Sequence, residues 1–293
     1  MSESRHHTGR EAKASRPSSW TVLNGRVLGP SPHLVMGIVN ATPDSFSDGG
    51  RFPGPEAAVD HALDMLDHGA DVADVGGEST RPFAQPVDAD EEERRVLPVV
   101  RGILARRPGA AVSVDTTKAH VAALALEAGA VIVNDVSACT ADPGLLDVLA
   151  QHRPGYVLMH SQGDPRTMQV RPGYGSVLAE VARFFEVGLA MLVNAGLPEE
   201  RIVLDPGIGF GKTLEHNLTL LRGLPLFAGF GRPLLMGLSN KSFLGGLLGL
   251  QVDGRGPATQ VATALAWRNG AWAHRVHDAA GAAQALKLVE AMT

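Results

Sequence analysis

Cysteine is nearly absent: Cys139 is the one thiol in 293 residues. It excludes an intramolecular disulfide framework, and with no Cys/His pair at zinc-finger spacing the chain fits a reducing cytoplasm. Aromatic residues are scarce at 5%, and charged residues reach only 19%. The formal net charge of −5 comes from 26 basic and 31 acidic side chains scattered along the chain. Without a basic stripe, nucleic acid is not an expected partner. No apolar run approaches the ~18 residues that suggest a membrane span, and the N-terminus has no signal-type apolar core, so no membrane association is expected. Residues 1–18 are polar and aperiodic and predict a disordered tail.

What is abundant is short apolar runs. Hydrophobic residues make up 44% of the chain, and Val, Ile and Leu gather in eight runs: Leu34–Val39, Asp71–Val75, Ala111–Val114, Ala130–Val133, Gly155–Met159, Arg201–Leu204, Pro233–Leu238 and Ala271–Val276. Each is followed by a segment with room for a helix, an alternation that implies βαβ units around a parallel sheet. A (β/α)8 barrel of the TIM type needs roughly 250 residues, so residues 19–293 are expected to form one α/β barrel domain.

Several helices are delimited in the sequence. Pro55–His68 carries a stripe of Val59, Ala62, Leu63 and Leu66 and ends at Gly69. Asp90 is placed to cap a helix running towards Arg107, with Pro98 expected to kink or split it. Ala119–Ala128 should stop at Gly129, and Val177–Asn194 before Gly196.

The ends of the apolar runs are polar: Asn40, Gly76-Gly77-Glu78, Asp115, Asn134-Asp135, His160, Asp205, Ser239-Asn240-Lys241 and Arg275-Val276-His277. In a closed parallel barrel such positions converge on the C-terminal rim, where the catalytic loops lie. Arg275 and His277 are two apart in extended chain and share a side, which suits either a structural ion pair or, with Lys241, an anionic group. Asp115, Asn134 and Asp205 suit an amino-pyrimidine edge, since a carboxylate accepts two parallel N–H bonds; metal binding by these carboxylates competes, without compact ligand spacing. His160 divides evenly between a core histidine and a site residue. Gly207–Thr213 misses the phosphate-loop pattern GxxxxGK[ST] because Pro206 stands at its first glycine. Its glycines are expected to turn the backbone sharply and bring it close to a ligand.

Taken in order, GIVNATPDSFSDGG (37–50), GADVADVGGESTRP (69–82), SVDTTK (113–118), VNDVSA (133–138), LDPGIGFGKT (204–213), SNKS (239–242) and RVHD (275–278) resemble the dihydropteroate synthase family. That family joins 6-hydroxymethyl-7,8-dihydropterin pyrophosphate to p-aminobenzoate with Mg²⁺ assisting, and its members are commonly homodimers. The resemblance implies that Asp115, Asn134, Asp205 and Lys241 hydrogen-bond the pterin, that Met159 lines its pocket, and that Arg275 covers its face. It assigns His277 and Asn40 to the pyrophosphate and Mg²⁺ corner. Thr80, Arg81 and Pro82, with Phe210 and Ser242, correspond to the p-aminobenzoate pocket, over which the loop Thr42–Gly50, with Phe46, would close. Asp115, Asp205, Lys241, Arg275 and His277 form the implied catalytic set.

Three departures stand out: Asn240 where the family usually has Arg, Phe83 where it has Gly, and Ser161 where Met is common. Gly237-Leu238-Ser239-Asn240 also resembles the corrinoid methyltransferases that use methyltetrahydrofolate, which lack the RVHD and TPDSFSDGG segments found here. A catalytically silent pterin-binding paralogue is the remaining alternative, against which the complete rim speaks.

Overall fold

The computed structural model describes residues 17–42, 54–79, 86–163, 168 and 170–293. The predicted tail (residues 1–16 of it), most of the 42–50 loop including Phe46, and Thr80, Arg81, Pro82 and Phe83 lie outside the described residues.

All eight apolar runs are strands. They are β1 (Leu34–Asn40), β2 (Val72–Gly76), β3 (Ala111–Asp115), β4 (Ile132–Asp135), β5 (Gly155–Met159), β6 (Ile202–Asp205), β7 (Leu235–Met236) and β8 (Ala273–Val276). They pair in parallel, each with its sequence neighbour, and β8 pairs with β1. A bridge between Leu204 and Leu234 joins β6 to β7 and completes the ring. The fold is therefore a (β/α)8 barrel.

The helices are α1 (Pro55–Asp67), α2 (Ala89–Arg106), α3 (Ala119–Glu127), α4 (Gly144–His152), α5 (Val177–Ala195), α6 (Leu214–Gly223), α7 (Ser242–Leu248), α8 (Gly256–Arg268) and α9 (Ala279–Ala291). Gly69, Gly129 and Gly196 follow helix ends at positive φ, as the stop signals imply. Two details differ from expectation. The cap of α2 is Asp88, which accepts from the Glu91 amide at 2.8 Å and leaves Asp90 inside the first turn. That helix also runs unbroken through Pro98, because the buried Val96, Leu97, Val99 and Val100 on either side hold it against the barrel. On α1 the buried stripe is Ala58, Val59, Ala62 and Met65, while Leu63 and Leu66 are only partly covered.

Strand parity organises the core. Leu34, Met36, Val72, Ala111, Ile132, Val157, Val203, Leu235 and Ala273 fill the lower barrel, capped from below by Trp20 and Val22. Trp20 belongs to a two-stranded pair, Trp20–Thr21 with Val27–Leu28, and its indole donates to the Arg201 carbonyl at 2.7 Å. Residues of opposite parity, such as Val35, Val75, Val114, Val133 and Leu204, pack outward against the helices. Two residues above several of these positions the same face becomes polar: Val72 leads to Asp74, Ile132 to Asn134, Val203 to Asp205 and Ala273 to Arg275, while Met36 leads to Ile38 and Val157 to Met159, which keep part of the face apolar. The alternation that fills the barrel thus also delivers its polar groups to one end.

Candidate active site

At that end Asp74, Asp115, Asn134 and Asp205 are all buried. Arg275, rising from β8, passes over β1 and donates from Nε to Asp74 Oδ2 at 2.6 Å and from Nη2 to Asp115 Oδ2 at 2.5 Å. Asn134 Nδ2 donates to the same Asp74 oxygen at 3.1 Å. Burial pushes the Asp115 carboxyl up to about 7, against the Arg275 charge, with Asp74 adding repulsion. The two carboxylates in turn hold the Arg275 guanidinium above its ordinary value despite its burial.

Across the barrel a second group forms around Asp205, whose Oδ1 accepts from the Gly207 amide at 2.7 Å. Burial raises its pKa, while that hydrogen bond and Lys241 oppose the rise. Lys241 is the N-cap residue of α7, in the turn that follows β7; its Nζ sits 4.1 Å from the Phe210 ring centroid. Burial lowers its pKa to about 8, with Asp205 resisting. Phe210 also packs with Met159 and Met168, so the expected pterin-pocket residue and the expected p-aminobenzoate-pocket residue share one apolar wall. Ser242 is exposed at the start of α7 beside Lys241.

His277 lies at the β8 end, with Nδ1 2.9 Å from Ser239 Oγ. Asn40 ends β1, half-buried and registered against Gly76. Among the described residues no three His, Cys, Asp or Glu side chains are grouped as metal ligands. The suggestion that the rim carboxylates themselves chelate a metal therefore finds no support there; Asp74 and Asp115 hold Arg275 instead.

Parity separates the remaining polar strand ends from the site. Asp135 faces outward, accepting from Ser137 Oγ at 2.6 Å and Tyr156 Oη at 2.9 Å, and is a structural anchor. His160 also faces away: Lys212 Nζ donates to its Nδ1 at 2.9 Å and to the Phe210 carbonyl at 2.9 Å. Burial lowers the His160 pKa to about 3, so it is a neutral core histidine. The glycines of the 207–211 segment bring the backbone close to protein as well as to the pocket. A Cβ at Gly207 would collide with the His160 carbonyl, and one at Gly211 with that of Gln162. Gly209 alone faces the site, against Lys241.

Asn240 adopts a left-handed φ of 56°, which asparagine tolerates better than arginine. Its carbonyl accepts from Arg255 Nη1 at 2.9 Å, so a guanidinium stands beside the position although residue 240 carries none.

Asp74 and Lys212 escaped sequence reasoning. The signal for Asp74 was present: a carboxylate in the middle of the apolar run Asp71–Val75, on the interior parity. Lys212 was visible only within the near-miss phosphate loop.

With this geometry in place, comparison with known proteins is decisive. The family described as pterin binding enzyme matches residues 36–277. The chain belongs to this family. A dihydropteroate synthase of Escherichia coli strain K12 is 45% identical over 260 residues, covering 89% of this chain and 91% of its own. A Yersinia pestis dihydropteroate synthase with a sulfonamide drug complex superposes with a TM-score of 0.87 at 42% identity, covering 92% of this chain and 98% of that one. The Xanthomonas albilineans enzyme with 4-aminobenzoic acid gives 0.87 at 43% identity, covering 93% and 98%. The same enzyme with 7,8-dihydropteroate gives 0.83 at 41%, covering 92% and 98%.

Proposed function

We propose that this protein is a dihydropteroate synthase, condensing 6-hydroxymethyl-7,8-dihydropterin pyrophosphate with p-aminobenzoate to give 7,8-dihydropteroate and pyrophosphate. The observation that carries the reading is the convergence of Asp115, Asn134, Asp205, Lys241 and Arg275 at the barrel mouth, in a chain whose relatives bear that name and bind 4-aminobenzoic acid and 7,8-dihydropteroate.

Asp115, Asn134 and Asp205 receive the N–H donors of the pterin, with Met159 and Phe210 supplying the apolar wall. As the C–O bond to pyrophosphate breaks and its electron pair leaves with the phosphate, positive charge develops on the pterin. The buried carboxylates stabilise that charge, and Arg275, Lys241 and His277 face the departing anion. The amine nitrogen forms the new C–N bond and then releases its proton to water. An aromatic amine is neutral at pH 7, so no strong general base is required, in keeping with a His160 that is turned away.

Asn40 fits a Mg²⁺ role as a single oxygen donor at the rim, because this ion keeps several waters and takes its remaining ligands from substrate phosphates. When bound, Mg²⁺ neutralises charge on the leaving group. The family resemblance assigns Thr80, Arg81, Pro82 and Ser242 to the p-aminobenzoate side.

No helix of the described residues is long and apolar enough to cross a membrane, and we assign the protein to the cytoplasm. We assign a homodimer to the α7–α8 face, where Leu247, Leu248, Val252, Val261 and Leu265 are exposed. Trp267 is engaged on its own chain, donating to the Pro32 carbonyl at 2.9 Å.

Pyrophosphate release on mixing the pterin pyrophosphate, p-aminobenzoate and Mg²⁺ tests the reading. Release that depends on p-aminobenzoate is expected. Silence would favour a pterin-binding paralogue, and methyl transfer from methyltetrahydrofolate to a corrinoid would overturn the assignment.

A further inference from the structure

Arg275 is held by two carboxylates that differ in kind. Asp74 has no exposed surface and lies mid-strand, registered between Ile38 and Ser113, where the barrel wall encloses it. Its Oδ2 accepts from both Arg275 Nε and Asn134 Nδ2. Asp115 lies one layer higher, at 8% exposure, at the mouth. An amino-pyrimidine edge that takes both oxygens of Asp115 meets Arg275 Nη2 already on Oδ2 at 2.5 Å, so the two donors must share that oxygen or exchange on it. The Asp74 contact suffers no such competition.

We propose that Asp74 is a positioning residue: it retains Nε of Arg275 and Nδ2 of Asn134 throughout, while the Asp115 contact is surrendered to the pterin. The exchange frees Nη2 at the moment substrate arrives, on a guanidinium still tethered through Nε and able to turn its outer edge towards the phosphates. One buried carboxylate thereby orients both a pterin ligand and the anion-facing cation. The proposal rests on the function given above.

The test is a double-mutant cycle of Asp74→Asn and Arg275→Lys, read as kcat/KM for the pterin pyrophosphate, KM for p-aminobenzoate, and calorimetric affinity for the pterin pyrophosphate alone. Asp74→Asn is isosteric and keeps one acceptor, so it spares the fold, and thermal melting monitors this. Loss of a charge-assisted bond predicts a fall of about 10–100-fold in kcat/KM for the pterin pyrophosphate, with KM for p-aminobenzoate changed less than about 2-fold. In the Arg275→Lys background the same substitution should cost less than about 3-fold, since the tether is already gone.

An Asp74→Asn enzyme within about 2-fold of the parent, or losses that multiply fully in the double variant, would overturn the proposal. So would equal loss towards both substrates with a lowered melting temperature, which marks a structural role. A parent protein that binds the pterin pyrophosphate but does not turn it over would refute the synthase reading instead, while the calorimetric cycle would still decide the role of Asp74.

Discussion

Lys212 donates to His160 Nδ1 at 2.9 Å, and this buried bond ties the end of β5 to the segment that carries Phe210. The ammonium also meets the carbonyls of Phe210 and His160, so three acceptors share its three N–H donors. Lys212→Met would leave all three buried without that partner, at a cost of about 1–3 kcal/mol and a melting temperature lower by roughly 2–12 °C at pH 7. Burial lowers the Lys212 pKa to about 7, from 10.5 when unfolded. Between these values the unfolded chain binds more protons, so the parent gains stability as pH rises through that window and the methionine variant lacks this gain. Melting curves from pH 7 to 10 should show the gap widening; a gap that narrows would contradict the assignment.

In the proposed mechanism the opposed shifts of Asp115 and Lys241 bound the pH dependence of turnover. Asp115 must be ionised to accept the pterin N–H groups and titrates near 7, while Lys241 must keep its ammonium and titrates near 8. Plotted against pH, kcat/KM for the pterin pyrophosphate should rise through the first value and fall through the second. Lys241→Arg should remove the alkaline fall, because guanidinium stays protonated. An unchanged alkaline limb in that variant would exclude Lys241 as its origin.

Gly207 combines a φ of +67° with a Cβ position blocked by the His160 backbone. Gly249, at φ +71°, has open space instead. Gly249→Ala should therefore cost only the left-handed penalty of about 1–2 kcal/mol. Gly207→Ala adds a collision between backbones and should cost about 2–4 kcal/mol, with loss of pterin binding as the Asp205 to Gly207 hydrogen bond shifts. Equal melting temperatures for the two variants would show that the close approach is not rigid.

Most of the barrel was legible because eight apolar runs with polar ends state both the strands and the face on which they converge. What strand endings alone do not convey is parity: Asn134 and Asp135 end the same run, yet one faces the pocket and the other ties down Ser137 and Tyr156. Asp74 was overlooked for the complementary reason, since it lies two residues below the end of β2 and enters the site only through the reach of Arg275. The Trp20–Thr21 and Val27–Leu28 strands are too short to show a period, so the plug beneath the barrel left no pattern to read. The sequence leaves Arg275 open between an ion pair and an anion site; it makes the ion pair in this structure, and its anion role belongs to the exchange proposed above.

The most direct test of the central claim, that buried carboxylates stabilise the developing pterin cation, is the pyrophosphate-release rate of Asp115→Asn with saturating substrates and Mg²⁺. Removing one such group should lower kcat by about 10²–10³-fold while the fold stays intact. Full activity in that variant would contradict the account.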